Sequence, residues 1–202
     1  MLALPMEISV ILSHPDGRSF NHAIAHAACR ALERNGHTVR FHDLCAEGFD
    51  PLLPASELDM KAPPSPDIAG YCKELRRADG LVFVHPNWWG QPPAAMKGWI
   101  DRVLRPGVAY EFQAGDNGEG VPVGLLRART AVVFNTSNTP PEREMEAFGD
   151  PLDGLWKTCI LGFCGVKNVV RETFSVVIVS SPEQRAEWLR RVEEIVDASF
   201  PR

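Results

Sequence analysis

The chain has 202 residues, of which 45% are hydrophobic and 23% charged, a composition typical of a globular protein. We expect one domain over residues 1–202, since single domains commonly run to about 100–250 residues. The net charge of −5 comes without a long basic run, which argues against nucleic acid and anionic membranes as main partners. The sequence has neither an apolar stretch approaching the ~20 residues of a membrane span nor an export signal, so a cytoplasmic location is expected.

The cysteines and histidines form no recognised metal or redox motif. Five irregularly spaced cysteines without a CxxC pair predict reduced thiols. His22 and His26 have the i, i+4 spacing of metal ligands, but no HExxH motif and no third ligand is near them. We therefore expect no metal site, and a solvated helix face that carries both histidines.

Hydrophobic patterning in the first half predicts alternating strands and helices. The predicted elements, in chain order, are a strand over 6–12, a helix over 19–35, a strand over 37–43, an irregular segment over 44–66, a helix over 66–78 and a strand over 80–85. Ser19 suits the N-cap of the first helix, and Gly36 suits its end. The run over 80–85 is apolar enough for a strand buried on both faces, as in parallel sheets.

The second half continues the alternation. The predicted elements are a helix over 92–104, a loop with a hairpin over 105–129, a strand over 130–135, a helix over 150–163, a strand over 166–179 and a last helix that follows Ser181. Pro92 and Pro93 suit a helix start. The N–H groups of the first turn have no partner within the helix, so proline, which lacks an N–H group, loses no hydrogen bond there. Five strand–helix units predict an α/β fold with a doubly wound, mostly parallel sheet.

Such sheets bind ligands at the carboxyl ends of their strands, where the strand order reverses. This rule selects three loops, over residues 13–21, 85–93 and 135–142. The same loops hold the unusual residues of the chain, so we expect the functional site there.

The first of these loops reads SHPDGRSFN and precedes a predicted helix. A helix N-terminus offers free backbone N–H groups and a partial positive charge to an anion. Ser19 and Asn21 add side-chain donors, and His14 and Arg18 add positive charge, so the loop is a candidate phosphate site. The alternative is a plain helix cap at Ser19, which explains the serine but not the whole cluster.

The second loop reads HPNWWGQPP. Trp88 and Trp89 are adjacent on a proline-bounded loop, and two such rings are costly to expose unless they pack on something flat. The pair is therefore a candidate wall for a planar ligand. A contact between two copies of the chain, or a local core contact, is the alternative.

The loops together resemble the NAD(P)H:quinone oxidoreductase (DT-diaphorase-like) family of the flavodoxin-like fold, which includes ancillary proteins of bacterial potassium efflux systems. His14 followed by Ser19, Phe20 and Asn21 is similar to the flavin-phosphate loop of that family. Pro86 and Trp89 resemble the loop beside the flavin ring. The resemblance extends along the chain through Lys97-Gly98-Trp99, Asp101-Arg102-Val103, Ala109-Tyr110 and Phe163-Cys164-Gly165.

The resemblance implies a fold and a cofactor. The fold is an α/β flavodoxin-like three-layer sandwich, with a five-stranded parallel sheet of order 2-1-3-4-5 and helices on both faces. The cofactor is FMN, with FAD as the alternative, and NAD(P)H is the co-substrate. The implied cofactor-binding residues are His14, Arg18, Ser19, Phe20, Asn21, Pro86, Asn87, Trp88, Trp89, Gly90, Thr136, Ser137 and Asn138.

The third loop departs from the family pattern. Thr136 and Ser137 keep the hydroxyl groups expected beside the flavin pyrimidine, whereas Asn138 and Thr139 stand where glycines are usual. The backbone approach to the ring is therefore expected to differ from that of other members.

A second departure concerns the reaction. The Tyr and His of mammalian-type members fall, by position, near Glu142 and Phe148, so neither side chain is present. We therefore assign no catalytic side chain, because the flavin carries the chemistry. Trp89 and Thr136 are the ring-side candidates.

The function implied by the resemblance is two-electron transfer from NAD(P)H, through the flavin, to a quinone or similar electrophile by a ping-pong mechanism. A flavin-binding regulatory subunit of a membrane transporter is the alternative, by analogy with the potassium-efflux relatives. A one-electron flavodoxin carrier is disfavoured because such carriers lack the Lys-Gly-Trp helix. Apolar residues in the second loop and in 105–129 also predict a homodimer with the site at its interface.

Overall fold

The computed structural model describes residues 4–59, 62–113 and 122–202. Its strands, in chain order, are β1 (Glu7–Leu12), β2 (Thr38–Asp43), β3 (Gly80–Pro86), β4 (Tyr110–Glu111), β5 (Val123–Gly124), β6 (Thr130–Ser137) and β7 (Asn168–Ser175). The five long strands form a parallel sheet in the order β2-β1-β3-β6-β7. Counted along the chain without the two short strands, this is the predicted order 2-1-3-4-5, which is confirmed.

The helices alternate with the long strands. They are α1 (Phe20–Arg34), α2 (Pro66–Leu75), α3 (Ala94–Val103), α4 (Pro141–Phe148), α5 (Pro151–Gly154), a π-helix (Leu155–Gly162) that continues α5, and α6 (Pro182–Ser199). Two short 3₁₀ helices cover Ala55–Leu58 and Val177–Val179. Within the described ranges, no helix is long and apolar enough to cross a lipid bilayer.

Buried side chains form one hydrophobic cluster on each face of the sheet, which confirms the three-layer arrangement. On one face, α1 and α6 cover residues such as Val82 and Val132. On the other face, α2, α3 and the π-helix cover residues such as Phe83 and Val133. Strand β3 alternates between the two clusters and is buried throughout, as its apolar sequence predicts.

Several predicted boundaries were wrong. Helix α4 was not predicted at all, and the helix expected over 150–163 is α-helical only over its first turn. The strand expected over 166–179 stops at Ser175, where a 3₁₀ turn follows. The hairpin expected within 105–129 is present as β4 and β5, while its residues 114–121 lie outside the described part of the chain. All five cysteines are free, as predicted.

The irregular segment after β2 is fixed to α3 by a buried ion pair. The Arg102 guanidinium donates to Glu57 Oε1 at 2.7 Å and to the Asp50 carbonyl at 2.7 Å. The Arg102 and Glu57 side chains are only 7% and 5% exposed. Gly98 allows this approach, since a Cβ there would lie 2.3 Å from the Pro51 Cα. The Lys-Gly-Trp motif thus has a packing reason for its glycine.

Replacing Arg102 by Ala should therefore destabilise the fold. The change leaves the Glu57 carboxylate buried without its partner, and breaking a buried pair in this way costs about 3 kcal/mol or more. Arg105 lies 3.9 Å from Glu57, too far to replace the lost hydrogen bonds. Urea unfolding measures the loss in the free energy of unfolding.

Arg77→Ala is the matched control, because Arg77 is exposed and has no ion-pair partner among the described residues. Its effect should stay within about 0.5 kcal/mol. If the two variants are equally stable, the buried pair does not anchor this segment.

Candidate functional site

The carboxyl ends of β1, β3 and β6 lie side by side, which brings the three predicted loops to one edge of the sheet. The Ser13 N–H group donates to the Val84 carbonyl at 3.0 Å, joining the first loop to β3. The Asn87 N–H group donates to the Thr136 carbonyl at 2.7 Å, joining the second loop to β6. The order of the sheet reverses at β1 and β3, so the loops flank its switch point.

A buried side-chain bond joins the first loop to the third. Asn21 Nδ2 donates to Thr136 Oγ1 at 2.9 Å, and both side chains are buried. Thr136 Oγ1 also lies 3.3 Å from Asn21 Oδ1. The Asn21 amide thus bridges two loops in the structure, and its predicted role as a donor to a phosphate stays a prediction.

The first loop ends in the N-terminus of α1. Ser19 is the N-cap, and its side chain accepts a hydrogen bond from the His22 N–H group, as predicted. The N–H groups of Phe20 and Asn21 precede the first intrahelical bond, so they face outward as donors. Arg18 is almost fully exposed and pairs with Asp16 at 3.3 Å. This end of α1 thus combines free donors with an exposed positive side chain.

His22 and His26 differ, although a shared solvated face was predicted for both. His26 is exposed, but His22 is buried under the first loop. His22 Nε2 lies 2.8 Å from Asp43 Oδ2, and His22 Nδ1 lies 2.9 Å from Ser19 Oγ. The prediction was wrong for His22 because Asp43, at the end of β2, supplies a polar partner that the helix pattern does not reveal.

The second loop forms a tight turn in which Trp88 and Gln91 exchange backbone hydrogen bonds of 3.1 and 3.0 Å. Asn87 Oδ1 accepts from the Gly90 N–H group at 2.9 Å. Trp89, at the tip, has a φ of 58° and a fully exposed side chain. A non-glycine residue in the left-handed region is uncommon and is held here by the turn.

Gly90 adopts a φ of 69°, and a Cβ there would lie 2.6 Å from Pro151 Cγ. Both facts require glycine at this position. Trp88 points back to the first loop, where its ring centroid lies 6.0 Å from that of His14. The paired tryptophans therefore have different roles: Trp88 contacts the protein, and Trp89 presents its ring to solvent.

The third loop is tied down on both sides. Ser137 Oγ accepts from the Thr139 N–H group at 3.0 Å, and Asn138 Oδ1 accepts from the Ile178 N–H group at 2.9 Å. Of the two residues that stand where glycines are usual, Asn138 fixes the loop through its side chain, whereas Thr139 contributes its backbone N–H group.

Helix α4 follows the third loop and carries Glu142 and Phe148 on its exposed surface. Its Glu144 accepts a hydrogen bond from Asn87 Nδ2 at 3.0 Å, which links α4 to the second loop. Proline in its first turn and Gly149, at a φ of 70° after its last residue, are ordinary helix boundary signals. Those signals could have revealed α4 in the sequence.

A buried polar network lies beneath the second loop. His85 Nδ1 lies 2.8 Å from the Pro86 carbonyl, and Trp156 Nε1 donates to His85 Nε2 at 2.9 Å. These contacts assign the proton of the neutral ring to Nδ1. Burial lowers the pKa of His85 to about 4, and the nearby charge of Arg171 contributes to the same effect.

The network continues toward the last strand. Arg171 Nε donates to Asn135 Oδ1 at 2.7 Å, and the same guanidinium donates to Asp150 Oδ2 at 2.6 Å. Asn135 in turn contacts the His85 ring at 3.0 Å. Sequence reasoning missed this network, since its members are widely separated along the chain and no local pattern links them.

Comparison with known proteins agrees with this geometry. Residues 6–196 match a family model described as flavodoxin-like fold. An uncharacterized NAD(P)H oxidoreductase of Haemophilus influenzae is 33% identical over 172 residues, covering 82% of this chain and 81% of that protein. NAD(P)H dehydrogenase [quinone] 1 of Cavia porcellus is 30% identical over 215 residues, covering 93% and 76%.

This chain belongs to the NAD(P)H:quinone oxidoreductase family of the flavodoxin-like fold. The NAD(P)H:quinone oxidoreductase of Methanothermobacter marburgensis has a similar structure, with a TM-score of 0.81 and 25% identity, covering 98% of this chain and all of that one. An FMN-dependent NADH-azoreductase of Bacillus anthracis, solved in complex with FMN, shares the fold at a TM-score of 0.75 and 15% identity, covering 96% and 98%.

The neutral state of His85 predicts how stability depends on pH. The unfolded chain protonates this histidine near its ordinary pKa of 6.5, whereas the folded chain leaves it neutral down to about 4. As pH falls from 6.5 to about 4, the unfolded state gains a proton that the folded state lacks. The free energy of unfolding should therefore fall by up to about 1.4 kcal/mol per pH unit from this residue.

The variant His85→Gln isolates this contribution, since a glutamine amide can both donate to Pro86 and accept from Trp156 without titrating. Denaturant unfolding between pH 7 and 4 should show a shallower acid loss in this variant than in the wild type. His26→Gln, at an exposed position, should keep the wild-type profile. Identical profiles for all three proteins would contradict the assignment of His85 as a buried neutral group.

Proposed function

We propose that this chain is a flavin-dependent NAD(P)H dehydrogenase that transfers two electrons to a quinone or similar electrophile. The observation that carries the proposal is the meeting of three loops at one sheet edge: a helix N-terminus, a tryptophan turn and a hydroxyl-bearing strand end. We favour an enzyme over a transporter subunit because the relatives described above carry oxidoreductase names. A cytoplasmic location and a single domain over residues 1–202 are part of the same proposal.

The donors at this edge suit a flavin with a terminal phosphate. The phosphate would lie against the Ser19 hydroxyl and the N–H groups of Phe20 and Asn21, with Arg18 adding positive charge and the His14 ring beside it. The ring would lie against the backbone of 86–90 and against the third loop. The residues that we propose for the ring are Pro86, Asn87, Trp88, Trp89, Gly90, Thr136, Ser137 and Asn138. FMN is proposed, with FAD as the alternative.

The flavin, when bound, accepts and donates the reducing equivalents. The chain itself contributes orientation and shielding. The turn at Trp89 places an aromatic side chain beside the proposed site, and the hydrogen bond between Asn21 and Thr136 joins the two other loops. Backbone N–H dipoles at this edge stabilise negative charge without reorganising.

We propose that no side chain transfers a proton during reduction. Glu142 and Phe148, near the family positions of Tyr and His, are exposed on α4. His85 is neutral above about pH 4, and partial burial lowers the pKa of His14. The histidines at the strand ends therefore have no need to change charge near neutral pH.

Replacement of Ser19 by Ala should weaken FMN binding about 10–150-fold, because one charge-assisted hydrogen bond is lost. Flavin fluorescence quenching measures the dissociation constant. Ser181→Ala is the matched control, since Ser181 caps α6 through the same kind of bond, to the Gln184 N–H group. Equal affinities in the two variants would remove Ser19 from the site.

The proposed reaction predicts parallel lines when initial rates are measured against both substrates, since NAD(P)H and quinone would use the same face of the flavin in turn. Intersecting lines would indicate a ternary complex.

The rate of flavin reduction by NAD(P)H, measured by stopped flow on the fully loaded protein, should vary little between about pH 6 and 8. A steep pH dependence that vanishes on replacing one histidine would reveal a proton donor.

We also propose a homodimer with the site at its interface. The supporting observation is a set of large apolar side chains that are exposed in the second loop, in or beside the hairpin of β4 and β5, and on α4: Trp88, Trp89, Phe112, Val123, Met145 and Phe148. Light scattering of the FMN-loaded protein at micromolar concentration should give twice the 22.3 kDa mass of the chain. A 22.3 kDa particle would defeat the proposal.

A further inference from the structure

Ser19, His22 and Asp43 form one hydrogen-bonded chain beneath the first loop. Ser19 Oγ lies 2.9 Å from His22 Nδ1, and His22 Nε2 lies 2.8 Å from Asp43 Oδ2. The side chains of His22 and Asp43 are only 9% and 16% exposed. The end of this chain that reaches the surface is the Ser19 hydroxyl, at the N-terminus of α1.

Asp43 is held rigidly at the buried end. Its second oxygen, Oδ1, accepts from the N–H groups of Cys45 and Ala46 at 3.2 and 3.1 Å. The carboxylate therefore presents Oδ2 to His22 in a fixed direction. Because a carboxylate only accepts, the facing His22 Nε2 carries a proton.

The remaining nitrogen of His22 decides what Ser19 can do. In the neutral ring, Nδ1 is an acceptor, and the Ser19 hydroxyl donates its hydrogen bond to it. In the imidazolium, Nδ1 donates to Ser19 Oγ, and the hydroxyl proton is free to point away from the protein. Only with His22 in the imidazolium form can the Ser19 hydroxyl donate to an external anion.

We propose that His22 and Asp43 are positioning residues that couple the binding of a ligand phosphate at Ser19 to the uptake of one proton from solvent by His22. The proposal rests on the proposed flavin site and adds a regulation of it by pH. A phosphate at the helix N-terminus favours the imidazolium by its charge, and the imidazolium releases the Ser19 hydroxyl to the phosphate. Each binding event therefore strengthens the other.

The surroundings of His22 permit this coupling. Asp43 faces it from β2, and His14 faces it from the first loop, with ring centroids 6.4 Å apart and nearly perpendicular. Asp16 and Arg18 lie on the exposed side of that loop and pair with each other. Asp43 is thus the one carboxylate in direct contact with His22 among the described residues.

The test compares FMN with riboflavin, which has the same ring but no phosphate. Dissociation constants of both ligands are measured by fluorescence quenching between about pH 6 and 9 for the wild type, His22→Gln and His26→Gln. The phosphate of free FMN titrates at about pH 6 whichever protein is added, so differences between proteins report on the histidine. His26 is the matched control, one turn further along α1 and exposed.

In the wild type and in His26→Gln, the preference for FMN over riboflavin should decline as pH rises, by up to tenfold per pH unit, because phosphate binding is coupled to the uptake of one proton. In His22→Gln the decline should be absent. Asp43→Asn provides a second variant. The amide N–H introduced at position 43 would face His22 Nε2, which would become an acceptor, so Nδ1 would keep its proton and donate to Ser19. The preference for FMN should then again be independent of pH. Circular dichroism checks that each variant is folded.

A profile in either variant that matches the wild type would overturn the proposal. A wild type that binds FMN tightly, with a preference over riboflavin that does not change with pH, would overturn the coupling while leaving the proposed function intact. A wild type that binds neither flavin would overturn the proposed function and the coupling together.

Discussion

The hydrogen bond between the Asn21 amide and the Thr136 hydroxyl holds the candidate site in one piece. Asn21 lies in the first turn of α1, and Thr136 is the last residue but one of β6, so the bond spans the strand β3 that lies between β1 and β6. The Thr136 carbonyl also accepts from Asn87, which adds the second loop to the same point. Because these groups are buried, losing one partner would leave the other unsatisfied, and the loops have strong reason to stay together.

Buried hydrogen bonds beneath the second loop support the turn at Trp89. The turn that lifts Trp89 into the left-handed region rests on Gly90, which packs against Pro151. Below it, the neutral His85 ring joins the Pro86 carbonyl to Trp156, and Asn135 extends the contacts to Arg171. A site that positions a planar ligand benefits from such a fixed base, since displacement of the loop would break several buried hydrogen bonds at once.

Sequence patterns predicted the structure correctly where one local signal decides it. The apolar run over 80–85 predicted a buried strand, observed as Gly80–Pro86, and Ser19 predicted a helix cap. The same patterns failed where distant residues decide. The burial of His22 depends on Asp43, 21 residues away, and Arg171 forms an ion pair with Asp150. Of the site, the three loops could be predicted because strand order brings them together, whereas the hydrogen bonds between them required coordinates.

The central claim is that a flavin binds across these three loops, with its phosphate at the N-terminus of α1. A crystal structure of the protein grown with FMN tests this claim most directly. The account predicts electron density for the phosphate within hydrogen-bond distance of Ser19 Oγ and of the Phe20 N–H group, and for the ring beside the backbone of residues 86–90. Density for FMN at any other place on the molecule, with these loops empty, would contradict it.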